Sequence, residues 1–284
     1  MTADALVSRL DNLISLPDAY YRVEALIADP YATVNEISVA LSGDPAMSSR
    51  VLGVVNSAFY GFPSPIDSIP MAITILGSRS LRDLMLGMAV SRMFRDIDTE
   101  LVDVERFWEH SIYCGLMARA LGRESGRQQT ERLFLAGLFH DLGKLVIYQV
   151  APREAEAVLR EFAAQDKPLQ EVERKHLGCD HTQVGRELLQ RWHLPTVLQE
   201  AAGCHHEPDM AREYPESVAL VHVADVLAGR VEPGELVNAG KERDQTIHPA
   251  ASDHMPADEQ TLERLRLTVD LETVELYELL FAEP

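Results

Sequence analysis

Only three cysteines occur in 284 residues, Cys114, Cys179 and Cys204, far apart and with no C-x-x-C pair. A disulfide framework or a structural zinc knuckle needs more thiols than that. The three are expected to be reduced and to pack as small apolar groups, with Cys204, next to His205 and His206, the one to watch. Basic residues are also few: 26 Lys and Arg against 45 Asp and Glu leave a net charge of −19. Duplex DNA is held by clustered Lys and Arg that displace counterions, and a surface this acidic repels it. DNA binding is therefore not expected, although a small basic pocket for one nucleotide is compatible with the charge. No run approaches the roughly 20 consecutive apolar residues of a membrane span. The opening Met1-Thr2-Ala3-Asp4 lacks the basic and apolar regions of a secretory signal. These absences predict a cytoplasmic protein with no membrane partner.

β-Structure has little support either. Only residues 145–150 carry β-branched character, and so short a piece does not build a sheet. What is abundant is helical patterning. Hydrophobic residues make up 46% and charged residues 25%, ordinary values for a globular chain with one large core or two smaller ones. Thr33-Val34-Asn35-Glu36 reads as a capping box before Ile37 and Leu41. Asp44-Pro45 reads as an N-cap with proline at the first helical position, opening a face of Met47, Val51, Leu52 and Val55. Residues 56–65, with Phe59, Tyr60, Phe62 and two prolines, read as a packed loop; their aromatic face is the alternative partner surface. Ile69, Ile73 and Leu76 predict a short helix stopped at Gly77, and Ser80 begins another.

The fold class expected is all-α. An acidic stretch, residues 96–105, marks a subdomain boundary, giving an N-terminal helical subdomain over 1–100 and a helical bundle over 101–230. Pro, Gly and Asp accumulate between 231 and 256, so 231–284 reads as a linker and a final leucine-rich helix.

Seven of the ten histidines lie between 110 and 206. The sharpest segment is Phe139-His140-Asp141-Leu142-Gly143-Lys144, where a ring nitrogen and a carboxylate oxygen are brought near one point. Lys144 follows His140 by four and Asp141 by three, so its ammonium reaches the same face. A metal there would activate water, and the lysine would neutralise a phosphate oxygen. Further candidates are His110 in an amphipathic helix, His181 with Gly185 one turn on, the pair His205-His206, and Asp225 in an apolar helix. Gly185 would let a neighbouring helix approach closely. Each residue also has an ordinary reading. His110 suits a core histidine, His181 an exposed first-turn residue, His205 and His206 helix-terminal cations, and Asp225 a partner of His222. His176, His193 and His222 read as structural or surface, and His248 and His254 as linker residues.

From Leu16 to Asp225, roughly three quarters of the chain, the sequence resembles the HD-related output domain (HDOD) family. The phrases that carry it are Asp44-Pro45-Ala46-Met47-Ser48, Asn56-Ser57-Ala58-Phe59-Tyr60-Gly61 and Ala72-Ile73-Thr74-Ile75-Leu76-Gly77. Trp108-x-His110-Ser111, the segment 137–144 and His205-His206-Glu207-Pro208 continue it. The resemblance implies a helical subdomain beside an HD-phosphohydrolase-like bundle. Compared with related HD and HD-GYP phosphodiesterases, His110, His140, Asp141 and Asp225 match a single-metal ligand set. His181, His205 and His206 match the histidines of a second position, and Lys144 the lysine of their catalytic segment. Arg106 stands where those enzymes place a glutamate ligand, and no Gly-Tyr-Pro phrase follows Glu207.

The metal ligands expected are thus His110, His140, Asp141, His181, His205, His206 and Asp225, with Asp141 and Lys144 as catalytic residues if turnover exists. Imidazole and carboxylate donors without thiolate suit iron or manganese, and zinc less specifically, as one or two divalent ions. The function expected is a bacterial signal-transduction regulator that binds metal. The alternative is a metal-dependent phosphohydrolase acting on a nucleotide or cyclic dinucleotide. Expected partners are signalling or regulatory proteins, a nucleotide second messenger, or a second copy of the chain.

Overall fold

The computed structural model describes residues 1–10, 16–95, 97, 102–127, 130–165, 167–231, 246–254 and 258–281. Among them the chain is helical and forms no β-strand, so the all-α expectation holds. The first six helices are α1 (Ala3–Leu10), α2 (Asp18–Ala28), α3 (Val34–Ser42), α4 (Pro45–Val55), α5 (Ile69–Leu76) and α6 (Ser78–Met93). Next come α7 (Val104–Glu124), α8 (Thr130–Phe139), α9 (Leu142–Val150), α10 (Pro152–Ala164) and α11 (Leu169–Leu177). The last four are α12 (His181–Arg191), α13 (Thr196–Cys204), α14 (Pro215–Val231) and α15 (Glu259–Phe281).

The chain divides into two compact units. One comprises Ser15–Arg95 and Leu271–Pro284, the other Met1–Ile14 and Asp96–Asp270. The break at Arg95 and Asp96 falls in the acidic stretch, but each unit is discontinuous, which single boundaries at 100 and 230 do not describe.

In the first of these units the caps form as the sequence predicts. Thr33 accepts from Glu36 N–H at 3.3 Å while Glu36 Oε2 accepts from Thr33 N–H at 2.8 Å. Asp44 Oδ1 accepts from Met47 N–H at 2.9 Å, with Pro45 at the first helical position. Asn56 clamps the loop after α4: its Nδ2 donates to Ile66 O at 2.8 Å and its Oδ1 accepts from Ile66 N–H at 2.7 Å. Phe59, within that loop, is buried, as a packed loop requires. The end of α15 belongs here too, since Glu275 Oε2 accepts from Ala58 N–H at 3.0 Å.

The other unit is a bundle of α7–α14 with α1. Leu6, Val7 and Leu10 bury the inner face of α1 against α9 and α12. Two close approaches set the bundle's geometry. At the α7–α8 crossing, a Cβ on Gly137 would lie 2.6 Å from Gly115 Cα. At the α9–α12 crossing, a Cβ on Gly143 would lie 1.9 Å from His181 O and 2.7 Å from Gly185 N. Only glycine lets these backbones touch. The stretch Thr130–Val150 is long and apolar enough, by length and composition, to cross a membrane, but 89% of its most apolar 18-residue window is buried within the bundle.

Residues 246–254, expected to be linker, pack on α14. Pro249–His254 forms a 3-10 turn with Ala251 fully buried, and His248 N–H donates to His222 Nε2 at 2.8 Å. The rest of that expected linker, 232–245, lies outside the described residues.

Candidate metal centre

Every ligand candidate belongs to the bundle. His110 sits on the second turn of α7, one turn before the Gly115 crossing that brings α8 close. His140 and Asp141 form the break between α8 and α9, where the chain leaves one helix and starts the next. His181 opens α12 behind Asp180, whose side chain forms a capping box with Gln183. His205 is the C-cap of α13, His206 follows it, and Asp225 lies on α14.

These side chains meet in two groups. Asp141, His181, His205 and His206 each place a donor atom within 4.8 Å of the others, and His110, His140 and Asp225 do the same. Asp141 Oδ1 lies 3.5 Å from both His181 Nε2 and His205 Nε2. His181 Nε2 and His206 Nε2 are 3.1 Å apart. In the second group His110 Nε2 lies 3.0 Å, and His140 Nε2 3.5 Å, from Asp225 Oδ1. His140 Nε2 is also 3.3 Å from Asp141 Oδ2, so the adjacent pair joins the groups. Lys144 Nζ donates to Asp141 Oδ2 at 2.6 Å.

The rings are held from behind. His140 Nδ1 donates to Gly137 O at 2.6 Å, and His205 Nδ1 is shared by Ala201 O and Ala202 O at 3.1 Å each. His181 Nδ1 donates to Glu173 Oε2 at 2.6 Å, and the same oxygen accepts from His181 N–H at 2.9 Å. Each of these rings is bonded through Nδ1, so its Nε2 faces the centre. Three inward atoms, His140 Nε2, Asp141 Oδ1 and His205 Nε2, are buried without a hydrogen-bond partner. Buried polar atoms are normally satisfied, so an orphaned trio of one carboxylate oxygen and two ring nitrogens fits a cation.

The electrostatics follow from burial and proximity. Burial would raise the Asp141 carboxyl, but His140 and Lys144 beside it hold it well below its ordinary value. Asp225 is likewise held well below the carboxylate range against burial, by the hydrogen bond from His110 and by the nearby His140 ring. His140 is raised well above a normal histidine despite burial, chiefly by Asp141. Burial lowers His205, and burial with the neighbouring His205 and His181 lowers His206 further.

The HDOD domain profile matches residues 13–208. This chain belongs to the HDOD family. An HDOD protein of unknown function from Geobacter sulfurreducens has the same fold, with a TM-score of 0.77 at 23% identity over 99% of this chain and 98% of its own. A protein from Shewanella amazonensis, provisionally assigned as a phosphohydrolase, gives a TM-score of 0.67 at 25% identity, covering 97% of this chain and 93% of its own. An uncharacterised protein of Treponema pallidum is 25% identical over 226 residues, 79% of this chain, which spans only 44% of that relative's length.

Several ordinary readings of single residues do not survive in this HDOD chain. His181 is buried rather than exposed, and Asp225 pairs with His110 rather than His222. His222 instead donates through Nδ1 to His205 O at 2.7 Å. Cys204 joins neither group; the thiol near the site is Cys114, raised by burial and partly offset by His140 against it. Arg106 turns toward Asp103, 3.4 Å away, with 45% of its side chain exposed. Glu173 was not singled out from sequence. Its one signal is that it stands eight residues before His181, across the left-handed turn at Gly178.

Proposed function

We propose that this HDOD protein is a signal-transduction regulator whose bundle holds one or two divalent cations. The observation that carries the reading is the buried trio of His140 Nε2, Asp141 Oδ1 and His205 Nε2, none with a hydrogen-bond partner, ringed by four further donor side chains. Asp141, His181, His205 and His206 would hold one ion, and His110, His140 and Asp225 the other. An all-imidazole and carboxylate donor set favours iron or manganese and also accepts zinc. The regulatory role is supported by membership of the HDOD family and by Arg106, which points away from the site and adds no ligand. The partners of such a regulator are signalling proteins or a nucleotide second messenger.

Protein purified without oxygen or chelator is expected to carry on the order of one to two ions per chain by elemental analysis. A value near zero after reconstitution with ferrous or manganous salt refutes the reading.

Lys144 supports a second reading, a metal-dependent phosphohydrolase. A divalent cation supplies Lewis-acid polarisation and makes water a stronger nucleophile at neutral pH. The Lys144 ammonium, beside Asp141, would neutralise a phosphate oxygen, and Asp141 would orient the ligand set. Phosphodiester turnover that vanishes in Asp141→Ala decides for the enzyme.

Glu173 is a positioning residue in either reading. Glu173→Ala is expected to weaken metal binding by roughly 10–100-fold, the usual effect of removing a group behind a ligating histidine. Glu173→Gln keeps an oxygen acceptor for His181 and is expected to lose less. Competition against a chromophoric chelator measures both; equal affinity in all three proteins sinks the assignment.

A further inference from the structure

We infer that Lys144 acts as an internal cation that makes the two metal positions unequal, so that one ion binds tightly and the second only weakly. The inference rests on the metal-binding reading above and goes beyond it by assigning an order and a cause.

The two oxygens of Asp141 have different surroundings. Oδ1 faces His181 and His205 at 3.5 Å each and has no hydrogen-bond partner. Oδ2, on the side of His140, is engaged by the Lys144 ammonium at 2.6 Å. The position built on Oδ1 has four residues converging; the other has three unless Asp141 Oδ2 is added. That oxygen is the one Lys144 holds. A second dication drawing on that oxygen would compete with the ammonium for it and would lie close to a like charge. In a site where Asp141 and Lys144 are both buried, such repulsion is weakly screened. Among the described residues no fourth donor joins His110, His140 and Asp225, and Arg106, one turn earlier on α7, is cationic and paired with Asp103.

The test titrates metal-free protein with Mn2+, following heat and the electron paramagnetic resonance spectrum. Wild type is expected to bind one Mn2+ with an uncoupled signal and a second about a hundredfold more weakly. Lys144→Met, neutral and of similar length, is expected to bind both with comparable affinity and to show the exchange-coupled spectrum of a neighbouring pair. Lys144→Arg keeps the positive charge and is expected to keep the inequality, which separates charge from packing. Two equal sites in wild type, or an unchanged affinity ratio in a folded Lys144→Met, overturns the inference while leaving metal binding intact. A wild type that takes up no Mn2+, Fe2+ or Zn2+ overturns the metal-binding reading and this inference together.

Discussion

Gly143→Ala is expected to cost more than about 3 kcal/mol of stability and to abolish high-affinity metal binding. The added carbon would sit 1.9 Å from His181 O and 2.7 Å from Gly185 N, and both obstacles are backbone. Neither can turn aside, so α9 and α12 must separate. Asp141 and His181 ride on those two helices and would separate with them. Alanine's better helix propensity returns only about 1 kcal/mol, too little to compensate. Gly203→Ala is the control, because the nearest atoms to its new carbon are all in the side chain of Arg186, at 2.9 Å from Cδ, 3.3 Å from Cβ and 3.5 Å from Cγ. The flexible end of that chain can swing away and its Cβ need yield only a few tenths of an ångström, so this variant is expected to stay within about 1 kcal/mol of wild type. Urea midpoints at unchanged m-value compare the two. Equal stability would show that the α9–α12 approach is not the constraint described.

Asp141→Asn is expected to eliminate binding at the position it shares with His181, His205 and His206 and to destabilise the metal-free protein by roughly 3–5 kcal/mol. The carboxylate is the anion facing Lys144 at 2.6 Å and His140 at 3.3 Å, and removing it leaves a buried ammonium without that counter-charge. Adding Lys144→Met to Asp141→Asn removes the surplus charge as well. The double variant is expected to recover much of the stability and none of the metal binding. A double-mutant cycle from thermal or urea unfolding gives the coupling directly. Additive losses would mean that the ion pair contributes little to the apo fold. Metal bound by Asp141→Asn at wild-type affinity would instead remove this carboxylate from the centre.

Much of the fold was legible because its signals are local. Thr33 with Glu36, and Asp44 with Pro45, announce helix starts through bonds spanning three residues. The adjacent His140 and Asp141 likewise advertise a paired donor. Other parts depend on contacts distant in sequence, which periodicity does not encode. Glu173 lies in a helix rich in charged residues and reads as solvated, yet Gly178 folds that helix back so that its carboxylate meets His181. Cys204 attracted notice through its neighbours in sequence, whereas Cys114, one turn beyond His110, is the thiol that packs by His140. The segment 246–254 has the composition of a linker, and the ring of His222 beneath it and the buried Ala251 explain its docking.

The interleaving of the two units bears on the order in which the chain can finish folding. Residues 15–95 are synthesised early, but their unit takes its final piece from Leu271–Pro284, at the far end of the chain. The bundle carrying the donor residues needs nothing beyond Asp270. On a ribosome, where chains emerge from the N-terminus, the unit whose main segment precedes most of the bundle is the one completed last.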